Sequence, residues 1–134
     1  MIVVDSNVVA SLLLGGEQTP LARRAFQKDP AWVVPMLWRS EFRSVLASFL
    51  RRGTLALTDA VQLMRSAEML FRGVEYQVDS VQILHLVKGS RCSAYDCEFV
   101  ALARELGVPL VTADRELLAA FAPTTVSLAA FTAS

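Results

Sequence analysis

Four acids in this chain, Asp5, Glu41, Asp96 and Asp114, have the residue type and the local settings from which a metal site can be built. Carboxylates gathered in one pocket repel each other, and their ionised forms need a compensating cation. Hard oxygen donors without Cys or His suit Mg2+ or Mn2+. Each acid also has an ordinary structural role available. Asp5 and Asp114 are placed to be helix N-caps, worth about 1 kcal/mol each. Ser93-Ala94-Tyr95-Asp96 has capping-box spacing, with Asp where Glu or Gln is usual. Glu41 reads equally well as a surface helix residue paired with a nearby Arg. The single histidine, His85, stands among Leu84, Leu86 and Val87, the setting of a satisfied helix residue rather than of a base.

The elements around these acids decide whether they can meet. Ile2-Val3-Val4 is a short apolar run of the kind expected for a strand buried on both faces. Asp5-Ser6-Asn7 are all capping types, and a helix over Val8 to Leu14 follows until Gly15-Gly16. Thr19-Pro20 reads as N-cap and N1 of a second helix that Asp29-Pro30 closes. Trp32-Val33-Val34 is a second strand. A long helix over about Leu37 to Arg52 carries Phe42, Val45, Leu46 and Phe49 at helical spacing. Thr58-Asp59 caps the next helix, which runs to Arg72 and stops at Gly73. Its stripe of Leu63, Met64, Ala67, Leu70 and Phe71 reads as core. Val74 to Val78 is a third strand, Asp79-Ser80 caps a helix to Gly89, and Ser93 opens one that ends at Gly107. Pro109 to Thr112 is a fourth strand, Asp114 starts a short helix over Leu117, Leu118 and Phe121, and a last strand falls near Thr125 to Leu128.

Strands alternating with helices imply βαβ units and a layered α/β domain with a mostly parallel sheet of about five strands. In such a sheet, ligands bind outside the carboxyl ends of the strands. Asp5 and Asp114 follow strands there, and helix starts at that edge offer positive dipole ends to an anion. Glu41 and Asp96 lie early on helices that can begin at the same edge.

At 134 residues, 54% hydrophobic and 19% charged, the chain is the size of one domain with ample core, and it is not a disordered segment. No linker, repeat or low-complexity run divides residues 1–134. No apolar stretch reaches the roughly 18–20 residues of a membrane span, and the N-terminus lacks the pattern of a signal peptide, so a cytoplasmic protein is expected. Cys92 and Cys97 fit a reducing compartment. Thirteen basic residues balance thirteen acidic ones, but without the four candidate acids thirteen face nine, and eleven of the thirteen are Arg. Arg suits bidentate phosphate contact.

Val3-Val4-Asp5-Ser6-Asn7, Ser40-Glu41-Phe42, Ser93-Ala-Tyr-Asp96-Cys-Glu-Phe-Val-Ala-Leu-Ala and Val111-Thr112-Ala113-Asp114 resemble, in order and spacing, the four signature segments of PIN-domain nucleases. Within that family they resemble the VapC-like toxins of type II toxin–antitoxin pairs. The resemblance covers essentially the whole chain; Cys97 stands where a small Ala is common. It implies a three-layer α/β/α PIN-like domain over 1–134 that acts as a Mg2+- or Mn2+-dependent endoribonuclease. In this reading Asp5, Glu41 and Asp96 hold a first metal, Asp114 binds a second ion or orients water, and Asn7 and Thr112 give polar support. An ion so held polarises a phosphate oxygen and activates water, and two can stabilise both attacking and leaving oxygens. Implied partners are an RNA substrate, a cognate antitoxin and a second copy in a homodimer, without a membrane. Arg39, Arg43 and Arg115 are candidate RNA or antitoxin contacts. Alternatives are a non-toxin PIN nuclease of RNA processing and a catalytically idle partner-binding module. A haloacid-dehalogenase-like phosphatase would want a second Asp where this chain has Asn7.

Overall fold

The computed structural model describes residues 1–133. In chain order the elements are β1 (Ile2–Val4), α1 (Ser6–Leu14), α2 (Thr19–Lys28), β2 (Trp32–Pro35), α3 (Trp38–Arg51), α4 (Leu57–Leu70), β3 (Glu75–Tyr76), α5 (Ser80–Lys88), α6 (Ala94–Leu106), β4 (Leu110–Thr112), α7 (Arg115–Ala120), β5 (Thr125–Ser127) and α8 (Leu128–Thr132). The strands form one five-stranded sheet in the order β3-β2-β1-β4-β5. Every pairing is parallel, so the sheet is more uniform than the mostly parallel one expected.

The apolar runs explain the centre of the sheet. Every residue of β1, β2 and β4 is buried, because helices cover both faces and alternation would bring polar groups inside. Right-handed crossovers put α1–α4, which carry the chain from β1 to β3, on one face, and α5–α7 on the other. α6 packs across β1, β2 and β4, while α1 packs on α2, α3 and α4. The stripe on α4 is core, as expected: Ala67 and Phe71 are buried, and Leu63, Met64 and Leu70 pack against the same cluster. The Phe71 and Trp38 rings lie 4.8 Å apart, centroid to centroid.

Several boundaries differ from the sequence reading. Gln18, not Thr19, precedes α2; Thr19 is turned inward and its hydroxyl donates to the Ser11 carbonyl at 2.6 Å. A contact to the preceding helix thus outcompeted the cap. α4 begins one residue before the Thr58-Asp59 pair, with Ala56 as its cap and no side-chain hydrogen bond there. β3 keeps only two residues, because as an edge strand it has β2 alone to pair with. α8 was not anticipated; Ser127 caps it through the Ala130 N–H, and it packs on α2 and β5.

One polar cluster orients α3. Glu75 on β3 accepts from the Trp38 indole N–H at 2.6 Å and from Arg39 through both carboxylate oxygens, at 2.6 and 2.8 Å. Arg39 also donates to Glu68 on α4 at 2.9 Å. The first turn of α3 is thereby clamped to β3 and α4. These bonds, that from Arg39 foremost, hold the Glu75 carboxyl below the usual range. A lowered folded-state value contributes stability above the ordinary glutamate value and loses it as pH falls through the lowered one. Glu75→Gln is therefore expected to lower the melting temperature at pH 7, with the gap to wild type closing in acid. Melts across that range check this; a gap that does not change with pH would contradict it.

Candidate active site

The strand order reverses between β1 and β4, which makes their carboxyl ends the crevice of an open α/β sheet. Asp5 follows β1 and caps α1; Asp114 lies two residues past β4 and caps α7. The two strands are hydrogen-bonded neighbours, with Val4 opposite Val111. The Asp5 N–H continues the ladder by donating to the Val111 carbonyl at 3.0 Å. Glu41 is in the first turn of α3 and Asp96 in the first turn of α6. All four acids line one cleft of about 480 Å3, together with Ser6, Asn7, Ser44, Val45 and Ser48. The four acids named from the sequence thus meet in one cleft. A larger cleft of about 590 Å3 between α5 and α6, where His85 sits exposed, contains none of them.

Each acid is held differently. Asp5 is 7% exposed. Its Oδ1 accepts from the Ser6 N–H at 2.7 Å, and its Oδ2 from the Thr112 hydroxyl at 2.7 Å and Asn7 Nδ2 at 3.4 Å. The Thr112 hydroxyl in turn accepts from the Asp114 N–H at 3.0 Å, so one side chain fixes both aspartates. Asn7 Oδ1 accepts from the Ala113 N–H at 3.3 Å, tying the start of α1 to the end of β4. Glu41 Oε1 accepts from the Ser6 hydroxyl at 2.8 Å. Asp114 Oδ1 accepts from the Glu116 and Leu117 N–H groups, and Oδ2 has no hydrogen bond among the described residues. The Asp96 N–H donates to Ser93 Oγ at 3.1 Å, the backbone half of a capping box.

Burial and mutual repulsion raise the carboxyl pKa values of Asp5, Glu41 and Asp96. For Asp5 burial dominates, opposed by the Thr112 and Ser6 bonds, and the charges of Asp96 and Asp114 push further upward. Glu41 is raised by burial first, against its bond from Ser6, with Asp5, Asp96 and Glu98 adding repulsion. Asp96 is raised by burial and then by Asp114. Among the described residues, no three Asp, Glu, His or Cys side chains are already arranged to hold an ion. The donor set nevertheless suits one, since Mg2+ commonly takes one or two carboxylates and keeps several waters. A cation would also offset the burial and the repulsion that hold these pKa values up.

The three candidate arginines separate here. Arg39 is committed to Glu75 and Glu68 rather than free for a partner. Arg43 folds back along α3, donating to the Arg39 carbonyl and Ser40 Oγ. Arg115 is exposed beside Asp114. Sequence reasoning missed Ser6 as the link between Asp5 and Glu41, and Ser44 and Ser48 in the cleft wall. Their signal was available: they stand three and seven residues past Glu41, on one helix face. Glu98 was also missed; its carboxylate is raised by burial and bonds to the Leu37 backbone, steadying the start of α3.

The structure is an open α/β sheet with four carboxylates converging at its switch point, where ligands bind in sheets of this class. The PIN domain family model matches residues 2–122, and the chain belongs to that family, whose members are generally nucleases. No curated protein sequence matches significantly. Among solved structures, the fold is similar to that of PAE2754 from Pyrobaculum aerophilum, at 18% identity and a TM-score of 0.78, covering 98% of this chain and 93% of that one. FitAcB from Neisseria gonorrhoeae is similar at 19% identity and a TM-score of 0.73, over 96% and 98%. A toxin–antitoxin complex from Klebsiella pneumoniae is similar at 16% identity and a TM-score of 0.70, over 96% and 98%.

The raised carboxyl values predict a stability signature. A raised folded-state value costs stability once pH exceeds it, and costs nothing below the unfolded value. Without divalent ions, Asp96→Asn is expected to melt higher than wild type at pH 7. The gain should shrink as pH falls toward the ordinary aspartate value of 3.8. Mg2+ should raise the melting temperature of wild type more than that of the variant. Thermal melts with EDTA or Mg2+ check both, and a destabilised Asp96→Asn at neutral pH would refute the repulsion.

Proposed function

We propose that this chain is a Mg2+- or Mn2+-dependent endoribonuclease, the VapC-like toxin of a toxin–antitoxin pair. The observation that carries the reading is the convergence of Asp5, Glu41, Asp96 and Asp114 on one cleft at the β1–β4 switch point. In this reading Asp5, Glu41 and Asp96 supply the first metal, and Asp114 serves a second ion or a water. A cation held there would supply Lewis-acid chemistry, polarising a phosphate oxygen and making a bound water more acidic. The protein's own contribution is positioning. Thr112 and Asn7 orient the Asp5 carboxylate, Ser6 orients Glu41, and the α7 N–H groups hold Asp114 Oδ1 while its other oxygen stays available.

The toxin role is supported by two fold neighbours, the toxin–antitoxin complex from Klebsiella pneumoniae and FitAB bound to a DNA fragment, the latter at 17% identity with a TM-score of 0.72. We infer a cognate antitoxin as inhibitor, a homodimer and a cytoplasmic setting, with residues 1–134 acting as one domain. No helix among the described residues is long and apolar enough to cross a membrane.

Two measurements test the reading. RNA cleavage should require Mg2+ or Mn2+, stop with EDTA, and fall about 100-fold or more in Asp5→Asn and Asp96→Asn, as when other charge-stabilising groups are removed. Full activity in either variant would overturn the four-carboxylate mechanism. Thr112→Val, nearly isosteric, should weaken metal affinity about 10- to 100-fold, the usual effect of losing a group that orients a ligand; titration calorimetry reads it directly. Expression of wild type beside Asp96→Asn separates the functions. Growth arrest by wild type alone, relieved by a co-purifying small protein, marks a toxin; cleavage without arrest marks a processing nuclease. RNA binding without cleavage would leave a binding module.

A further inference from the structure

Both cysteines of the chain, neither of them in a disulfide, lie where α5 passes to α6. Cys97 is fully buried and Cys92 is 4% exposed. Ser93 caps α6, so Cys92 stands just before the cap and Cys97 is the fourth helical residue. Apolar side chains at these two positions pack against each other and fix the angle at which the chain enters a helix. The cap itself is well formed: the Asp96 N–H donates to Ser93 Oγ at 3.1 Å and the Cys97 N–H to the Ser93 carbonyl at 2.9 Å. Ser90 ties the pair together from the turn. Its hydroxyl proton goes to the Leu86 carbonyl at 2.8 Å, which leaves its oxygen to accept from the Cys92 N–H at 3.3 Å and the Cys97 thiol at 4.0 Å. Arg91, between Ser90 and Cys92, faces solvent. Burial pushes the Cys92 thiol up and the neighbouring Cys97 adds to it; burial also pushes Cys97 up, against its bond with Ser90. Both rest as neutral thiols within reach of each other's charge.

Two thiols brought together by a helix start close to a disulfide more readily than the same residues in a flexible chain, because folding has already closed the loop between them. We propose that Cys92 and Cys97 are a modification site, a dithiol that closes to an internal disulfide when met by a small disulfide oxidant such as glutathione disulfide. Cys92, in the turn, attacks one sulfur of the oxidant and releases a first glutathione; Cys97 then displaces the second from the mixed disulfide. The two cysteines are oxidised, one glutathione disulfide is reduced to two glutathione, and the two thiol protons end on the departing sulfurs. Exchange needs a thiolate, so burial makes it slow and confines the response to sustained oxidant. The new bond is about 2.0 Å long, shorter than any contact between thiols. It draws the first turn of α6 toward the preceding turn, and Asp96, the residue next to Cys97, moves with it. Oxidation thereby weakens the cation response of the carboxylate cleft, a consequence that rests on the metal reading, whereas the disulfide does not. Cys97 stands where the resembling nucleases commonly carry Ala, so the site belongs to this chain rather than to its fold.

The test equilibrates the full chain with mixtures of glutathione and glutathione disulfide, quenches with acid and reads the products by intact mass. The folded chain should lose two hydrogens without gaining glutathione. Its equilibrium constant for closure should be about 10- to 100-fold larger than that of the chain unfolded in urea, and the oxidised chain should melt higher than the reduced one. Cys92→Ala and Cys97→Ala should each abolish internal closure; the deciding comparison is made on wild type and does not depend on how those variants fold. Glutathione adducts in place of closure, disulfide-linked dimers, closure no easier in the folded chain, or a lower melting temperature after oxidation would each overturn the dithiol. The cleft is read separately. Mg2+ should raise the melting temperature of the reduced chain more than that of the oxidised chain, and an equal rise in both overturns the link to Asp96. No rise in either, with closure as expected, removes the metal reading and that link together and leaves the dithiol supported.

Discussion

Asp5 is a carboxylate kept almost wholly out of water with Glu41, Asp96 and Asp114 near enough for mutual repulsion, and the seam between β1 and β4 is what keeps it there. Removing a charge from water is costly unless hydrogen bonds replace hydration. Here they come from both strands: the Ser6 N–H on the β1 side and the Thr112 hydroxyl on the β4 side. The parallel register that sets Val4 against Val111 brings those donors to the same carboxylate. A slip of one residue would turn Thr112 to the other face of the sheet and leave Asp5 without its strongest cross-strand partner.

The same seam explains why the acids repel without unfolding the domain. Asp114 is not buried like Asp5; it is tied to the α7 N–H groups and, through its own N–H, to Thr112. Glu41 arrives on α3, whose first turn is clamped by the Trp38–Glu75–Arg39 cluster on one side and bonded to Glu98 on the other. Asp96 is set by the Ser93 cap on α6, a helix whose length is buried against β1, β2 and β4. Rigid elements thus hold like charges close together, an arrangement that lowers stability locally and makes the cleft receptive to cations. Active sites are commonly places where stability is exchanged for such readiness.

Outside the cleft, the arginines divide into those that build the fold and those that face solvent. Arg39 belongs to the first set, and its replacement would act first on α3. Arg91 and Arg115 belong to the second, on segments that border Asp96 and Asp114. A sequence shows only that all three are basic residues near acids. Partners distinguish them, and the partners of Arg39 lie 29 and 36 residues away.

Local signals in the sequence were enough to determine the α/β class, the burial of Ile2–Val4 and Leu110–Thr112, the N-caps Asp5, Asp79, Ser93 and Asp114, and the stop at Gly107, which adopts the left-handed conformation at φ 67°. These are effects of neighbouring residues, so they survive without a fold. Segment resemblance then named the four acids as one set. What the tertiary structure alone decided was how they are held: the strand order that sets β4 beside β1, the shared Thr112 hydroxyl, the Ser6 link to Glu41, and the commitment of Arg39 to Glu75. It also decided the losses, where a long-range contact overrode a local preference, as when Thr19 gave up the cap of α2 to bond Ser11. Such choices depend on groups far apart in the chain, whose meeting is fixed by packing rather than by spacing.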